Sequence, residues 1–154
     1  MAKKKCVFCD IVAGKEKAYV VYEDEDVLAF LHKNAYSEGH TVIIPKRHYE
    51  TIYDLPAELF CKIVDVAQKL ATFYKKELKC ESVNILHASG KLAGQSVMHF
   101  HLHLVPRYKN DQLGSLWYAP KDRCINNLLI YGRLTTSKYY KSLGSKTKLN
   151  FQTA

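Results

Sequence analysis

Met98-His99-Phe100-His101-Leu102-His103-Leu104-Val105 sets three histidines at alternate positions. In an extended chain alternate side chains share a face, so three imidazoles line one side while Phe100, Leu102 and Leu104 turn into a core. Neutral imidazole serves as nucleophile, proton donor or metal ligand near neutral pH, and a row of three needs a metal or an anion to act on. A catalytic ion held by all three is opposed by reach, because two strand intervals of about 6.6 Å separate the outer pair by roughly 13 Å.

Cys6-Val7-Phe8-Cys9 is a second candidate. Two thiolates at this spacing grip one metal from a tight turn, and tetrahedral zinc then needs two more ligands. No zinc-finger histidine spacing follows, so the others must come from distant positions; His48 and His99 are the favoured pair. Two cysteines and two histidines close a structural zinc site with no open position. The third candidate is Gly90-Lys91-Leu92-Ala93-Gly94-Gln95-Ser96, just before the histidines. Glycines let backbone amides approach an anion, and Gln95 and Ser96 add donors, so a phosphate can lie against this loop while His101 approaches its phosphorus.

Elements must hold these groups together. Tyr19–Tyr22 and Val27–Leu31 flank the acidic turn Glu23-Asp24-Glu25-Asp26 and read as a hairpin. His40–Ile44, after the Glu38-Gly39 turn and before Pro45, reads as a third strand. From Pro56 to about Lys79 the apolar residues Leu59, Ile63, Val66, Leu70 and Phe73 recur at helical spacing, with Asp54 as the capping residue. Ser82–Leu86 and Val97–Val105 give strands four and five, the last closed by Pro106. The expected class is α+β: a five-stranded antiparallel meander with one long packed helix and a short N-terminal helix. Past Arg107 the pattern weakens to Trp117, several tyrosines and the apolar run Ile125–Ile130, and the last dozen residues are assigned no structure.

The chain has 154 residues, 47% hydrophobic and 25% charged, which suits one domain with a real core. No run approaches the roughly 20 apolar residues that span a bilayer, and no apolar stretch follows the basic start, so a cytoplasmic protein is expected, with the nucleus also open. Five cysteines, an odd number without an export signal, read as ligands and buried thiols in a reducing compartment; Cys61, Cys80 and Cys124 are read as structural. The net charge of +8 is concentrated at the ends: residues 1–5 contribute +3, residues 121–154 contribute +6, and residues 6–120 sum to −1. That division predicts a basic tail (1–5), a domain (6–120) and a basic C-terminal extension (121–154), with nucleic acid the less favoured partner. His40 and His87 are expected to satisfy local hydrogen bonds.

Taken in order, the segments 6–14, 27–31, 39–48, 93–96 and 99–107 resemble the histidine triad (HIT) superfamily of nucleotide hydrolases and transferases, in particular its zinc-bearing branch. The resemblance implies a HIT-like fold and attack by His101 on the α-phosphorus of a purine nucleoside monophosphoryl compound. A nucleotidyl-histidine would form, and water would then release the nucleoside monophosphate. His103 and Ser96 would stabilise the phosphoryl oxygens, and Cys6, Cys9, His48 and His99 would hold a structural zinc. Val7, Phe8, Ile11 and Phe30 would line the base pocket, with further nucleotide contacts from His32, Lys33, Ser89, Gly94, Gln95 and Val97. A homodimer with the long helix at its interface is implied as well.

Two departures touch substrate binding. Members carry an aspartate for the ribose hydroxyls where this chain has His32, followed by Lys33, and an asparagine near the phosphate where it has Ala88, with Ser89 as stand-in. Altered sugar selectivity is therefore expected. The alternative to an enzyme is a non-catalytic nucleotide- or nucleic-acid-binding module.

Overall fold

The structure, a computed structural model, describes residues 6–111, 113–114 and 126–136. Helix α1 (Val7–Val12) leads into strands β1 (Val20–Glu23), β2 (Val27–Leu31) and β3 (Thr41–Pro45), and then into helix α2 (Ala57–Glu77). Strands β4 (Ser82–Leu86) and β5 (Leu102–Arg107) follow, joined through a 3₁₀ turn at Lys91–Ala93, and helix α3 (Asn127–Thr135) comes last. The five strands form one antiparallel sheet in the order β1-β2-β3-β5-β4. The predicted meander therefore holds only for the first three strands. α2 carries the chain across the sheet to its far edge, and β5 returns between β3 and β4.

Strand alternation gives the sheet two apolar faces. Val27, Ala29, Leu31, Ile43, Leu102 and Leu104 face α2, where Ile63, Val66, Leu70 and Phe73 complete the main core. Leu28, Phe30, Val42 and Ile44 face α1 and pack on Phe8. Burying each such large apolar side chain contributes about 1.5–3 kcal/mol, which is why β2 and β3 are apolar on both sides. On the α1 side the register sets Phe30 opposite Val42, Val42 opposite His103, and His103 opposite Leu86. One histidine of the row thus sits on an apolar floor.

Three expectations are corrected. β5 begins at Leu102, not Val97, because the chain bends at residues 97–99, where His99 N–H turns back to the Val97 carbonyl at 2.8 Å. Pro106 lies inside the strand, and its carbonyl accepts from Ser37 Oγ at 2.6 Å. Pro56 is the N-cap of α2, while Asp54 accepts from the Thr51 amide and hydroxyl in the preceding turn. α3 was not expected. Ile130 and Leu134 enter the main core, although Cys124, Trp117 and most of the basic ends lie outside the described residues. Among the described residues no helix is long and apolar enough to cross a membrane.

Candidate active site and metal cluster

The bend at residues 97–99 separates the histidine row into two uses. His99 is fully buried and donates from Nε2 to the carbonyl of Pro45, the last residue of β3, at 2.9 Å. That bond fixes the tautomer and leaves the Nδ1 lone pair facing the cysteines, 3.5 Å from Cys6 Sγ and 3.6 Å from Cys9 Sγ. His48 Nδ1 lies 3.3 Å from Cys9 Sγ. One ligand atom from each of Cys6, Cys9, His48 and His99 falls within 4.8 Å of all the others, so the four can hold a metal ion. Burial, more than the neighbouring imidazoles, pushes His99 down to about 4 and keeps it neutral, as a ligand must be. Of the remaining described cysteines, Cys61 is exposed and Cys80 is buried.

His101 is 5% exposed and faces Phe8 edge-on at 5.3 Å, with His103 5.1 Å away. His101 Nδ1–H donates to the His99 carbonyl at 2.7 Å, so Nε2 is the nitrogen with a free lone pair. Burial lowers its pKa against that bond's opposite effect, which favours the neutral, nucleophilic ring.

The tautomer of His103 is set by a relay. Tyr36 N–H donates to His40 Nδ1 at 3.1 Å, so His40 carries its proton on Nε2 and gives it to His103 Nδ1 at 3.0 Å. His103 therefore keeps an Nε2–H as a donor. Burial drives His40 to about 2 and His103 to about 3, so both rings are uncharged at neutral pH. His32 stacks on His40 with centroids 4.5 Å apart and planes at 8°, and it lies 5.5 Å from His103.

A second relay supports the His101 backbone from behind. His87 Nδ1–H donates to the His101 carbonyl at 2.8 Å, and His87 Nε2 accepts from Ser89 Oγ at 2.6 Å. Ser89 Oγ in turn accepts from Ile52 N–H at 2.8 Å. His40 and His87 do satisfy local hydrogen bonds as expected, but their partners are the histidine row itself, a pairing visible only once strand register is known.

The loop before the row is built by Gln95. Its Oε1 accepts from Gly90 N–H at 2.6 Å, and its Nε2 donates to the carbonyls of Glu50 (2.6 Å) and Val97 (3.0 Å). The carboxamide is thus engaged with backbone and shapes the loop. Gly94 takes φ +86°, a left-handed conformation that favours glycine. Ser96 is exposed, as is Lys33, and Ile11 and Val97 pack against the α1-side cluster around Phe8 and Phe30. Val7 stays 42% exposed.

Residues 13–110 match the HIT domain. The chain is 40% identical over 126 residues to Protein hit of Bacillus subtilis (strain 168), covering 77% of this chain and 87% of that protein. It is 35% identical over 108 residues to Adenylylsulfatase HINT3 of Arabidopsis thaliana, covering 70% of this chain and 55% of the plant protein. The crystal structure of a zinc-bound histidine triad family protein from Mycobacterium smegmatis superposes with a TM-score of 0.72 at 36% identity, covering 85% of this chain and 94% of that one. The match over residues 13–110, the identity to Protein hit and the superposition on a histidine triad protein agree, and the chain belongs to the HIT domain family.

Proposed function

We propose that this protein is a nucleotide hydrolase that cleaves at the α-phosphate of purine nucleoside monophosphoryl compounds, phosphoramidates or dinucleoside polyphosphates, by way of a nucleotidyl-His101 intermediate. The observation that carries the reading is the His101 Nδ1–H bond to the His99 carbonyl at 2.7 Å, which leaves Nε2 as an unprotonated nucleophile. Nε2 attacks phosphorus, the bond to the leaving group breaks, and its electron pair departs with that group, which takes a proton from solvent; the water of the second step returns one. Nδ1–H stays on the ring, so the positive charge of the intermediate lies against the His99 carbonyl. Water then attacks phosphorus, the P–Nε2 bond breaks, and the nucleoside monophosphate leaves. His103 Nε2–H and Ser96 serve the phosphoryl oxygens, with Gly94 and the loop amides beside them.

Phe8, Phe30 and Ile11, which cluster on the α1 side, form the base wall in our reading with the exposed Val7 beside them, and such a wall suits a purine face. His32 and Lys33 stand at the sugar side, and Ser89, Gln95 and Val97 shape the phosphate loop. Cys6, Cys9, His48 and His99 hold a structural zinc in our reading, supported by the donor set, by the His99 tautomer, and by the zinc-bound relative. Bound there, zinc would cross-link the start of α1, through Cys6 and Cys9, to His48 after β3 and His99 before β5. The residues fit this role, and no position is left open for a substrate.

The adenylylsulfatase name of the plant relative supports an adenylyl substrate for this chain. We assign residues 6–120 to the domain, 1–5 to a basic tail and 121–154 to a C-terminal extension whose helix α3 packs into the domain core through Ile130 and Leu134, in a reducing intracellular compartment that suits free thiolates. Exposed Val64 on α2 and exposed Val83 and Ile85 on the edge strand β4 support a homodimer. The function is tested by measuring AMP release from adenosine 5′-phosphoramidate and from a diadenosine polyphosphate. Release by the wild type that disappears in His101→Ala supports the hydrolase. AMP binding without turnover in either protein favours the binding module.

A further inference from the structure

α3 lies beyond residue 110, where the family match ends, yet it reaches back to the site. Asn127 Nδ2 donates to the His32 carbonyl at 2.9 Å, and the His32 amide donates to the His40 carbonyl at 2.8 Å. The helix is fixed by other contacts as well. Asn126 caps its first turn by accepting from Leu129 N–H, Ile130 and Leu134 are buried in the core, Tyr131 lies against Tyr19, and Arg133 donates to the Glu77 carbonyl. A well-anchored element therefore delivers the Asn127 amide to His32. Asn127 Oδ1 is buried with no partner, so the bond to His32 is what the side chain is held by.

His32 follows Phe30 by two residues on an extended stretch, and through the register Phe30–Val42–His103 it stands next to the histidine row. Its Nδ1 accepts from Asn34 N–H at 3.1 Å, so its proton is on Nε2. A nucleotide with phosphorus at His101 and base on Phe8 and Phe30 has its sugar between them, beside His32.

We propose that Asn127 is a positioning residue for nucleotide binding, holding His32 so that its Nε2–H meets a sugar hydroxyl of the bound nucleoside monophosphate. The inference rests on the nucleotide reading above and deepens it: a helix beyond the family segment, which ends at residue 110, supports the sugar side through the His32 carbonyl.

The test uses the full chain and compares wild type with His32→Ala, Asn127→Ala, the double variant, and Asn127→Asp, which keeps the size but removes the N–H donor. Calorimetry gives Kd for AMP and for 2′,3′-dideoxyadenosine 5′-monophosphate, and AMP release from adenosine 5′-phosphoramidate gives KM and kcat. Each single variant is expected to raise Kd for AMP and KM about three- to tenfold, with kcat within about twofold. The double variant is expected to be no worse than His32→Ala, and the differences are expected to vanish for the dideoxy nucleotide. Leu128→Ala, on the exposed side of the same helix, is expected to bind AMP as wild type does.

Asn127→Asp binding AMP with wild-type affinity overturns the proposal, as does a double variant whose losses multiply, or an equal loss for the dideoxy nucleotide, which marks general unfolding of the site. A wild type that binds AMP but releases none overturns the hydrolase reading, while the Kd comparison still decides the role of Asn127. A wild type that binds no AMP overturns both.

Discussion

His32, His99, His101 and His103 each have one ring nitrogen committed to the backbone or to another ring, and that commitment decides what the other nitrogen can do. His99 gives its proton to Pro45 and keeps a ligand lone pair, whereas His101 gives its proton to the His99 carbonyl and keeps a nucleophilic one. That His99 turns to the cysteines was legible from the cysteine pair together with the family pattern. The relays through His40 and His87 were not, because residues 63 and 14 positions apart meet only through strand register. Gln95 shows the same limit: its type suits an anion, but its amide serves three backbone groups. Replacing His40 by Ala removes the donor that fixes the His103 tautomer. We expect kcat for AMP release to fall about tenfold with little change in AMP affinity; unaltered kcat would count against the relay. On the sugar contact proposed above, His32 would offer one N–H where a carboxylate would accept from two hydroxyls. A 2′-deoxyadenosine substrate is expected to lose less than about tenfold in kcat/KM, and a loss of a hundredfold or more would reject this reading of His32.

Among the elements, β2 and β3 were plain in the sequence as short apolar, β-branched runs buried on both faces, and α2 because burial imposes a period of 3.6 on its apolar residues. β5 was misjudged at its start, where positioning His99 overrides strand pairing, and α3 was missed because its short apolar run has only Ile130 and Leu134 fully turned to the core. The turn before β3 is confined by packing. Gly39 has φ +79°, and a Cβ there would stand 2.6 Å from Leu78 Cδ1 at the end of α2. Gly39→Ala should destabilise the protein by about 1–3 kcal/mol in denaturant melts and displace the adjacent His40; stability equal to wild type would show that the turn relaxes freely. α1 is six residues long with no side-chain cap, so the Cys and His cluster must anchor it. In Cys9→Ser we expect zinc, measured by elemental mass spectrometry, to drop from one per chain and the melting temperature to fall by several degrees. Retention of zinc and full stability would refute the assignment.

In the molecule as a whole, an ionic clasp lies at the end of β5. Asp111 accepts from Arg107 Nε at 2.6 Å and Nη2 at 3.1 Å, and from the Tyr108 and Leu113 amides. Arg107 also donates to the Leu113 carbonyl and to Asn84 on β4, so the clasp ties the β5 end to the sheet edge. The Arg107 hydrogen bonds hold the Asp111 carboxyl down to about 2, below its ordinary 3.8. A depressed acid stabilises the fold above its unfolded pKa, so this contribution is complete above about pH 4 and fades as pH falls from there toward 2. Asp111→Asn should therefore lose about 1–2 kcal/mol at neutral pH, with its deficit shrinking in that acid window; a deficit unchanged down to pH 2 would contradict the assignment.

The central claim is that His101 Nε2 bonds to the α-phosphorus. The most direct measurement is intact mass spectrometry of wild type and His101→Ala, mixed with adenosine 5′-phosphoramidate for milliseconds and quenched in alkali, which preserves a phosphorus–nitrogen bond. The account predicts a species heavier by one adenylyl group in the wild type, located on His101 by peptide mapping and missing from the variant. AMP release with no adduct at the shortest times, or an adduct that persists in His101→Ala, would contradict it.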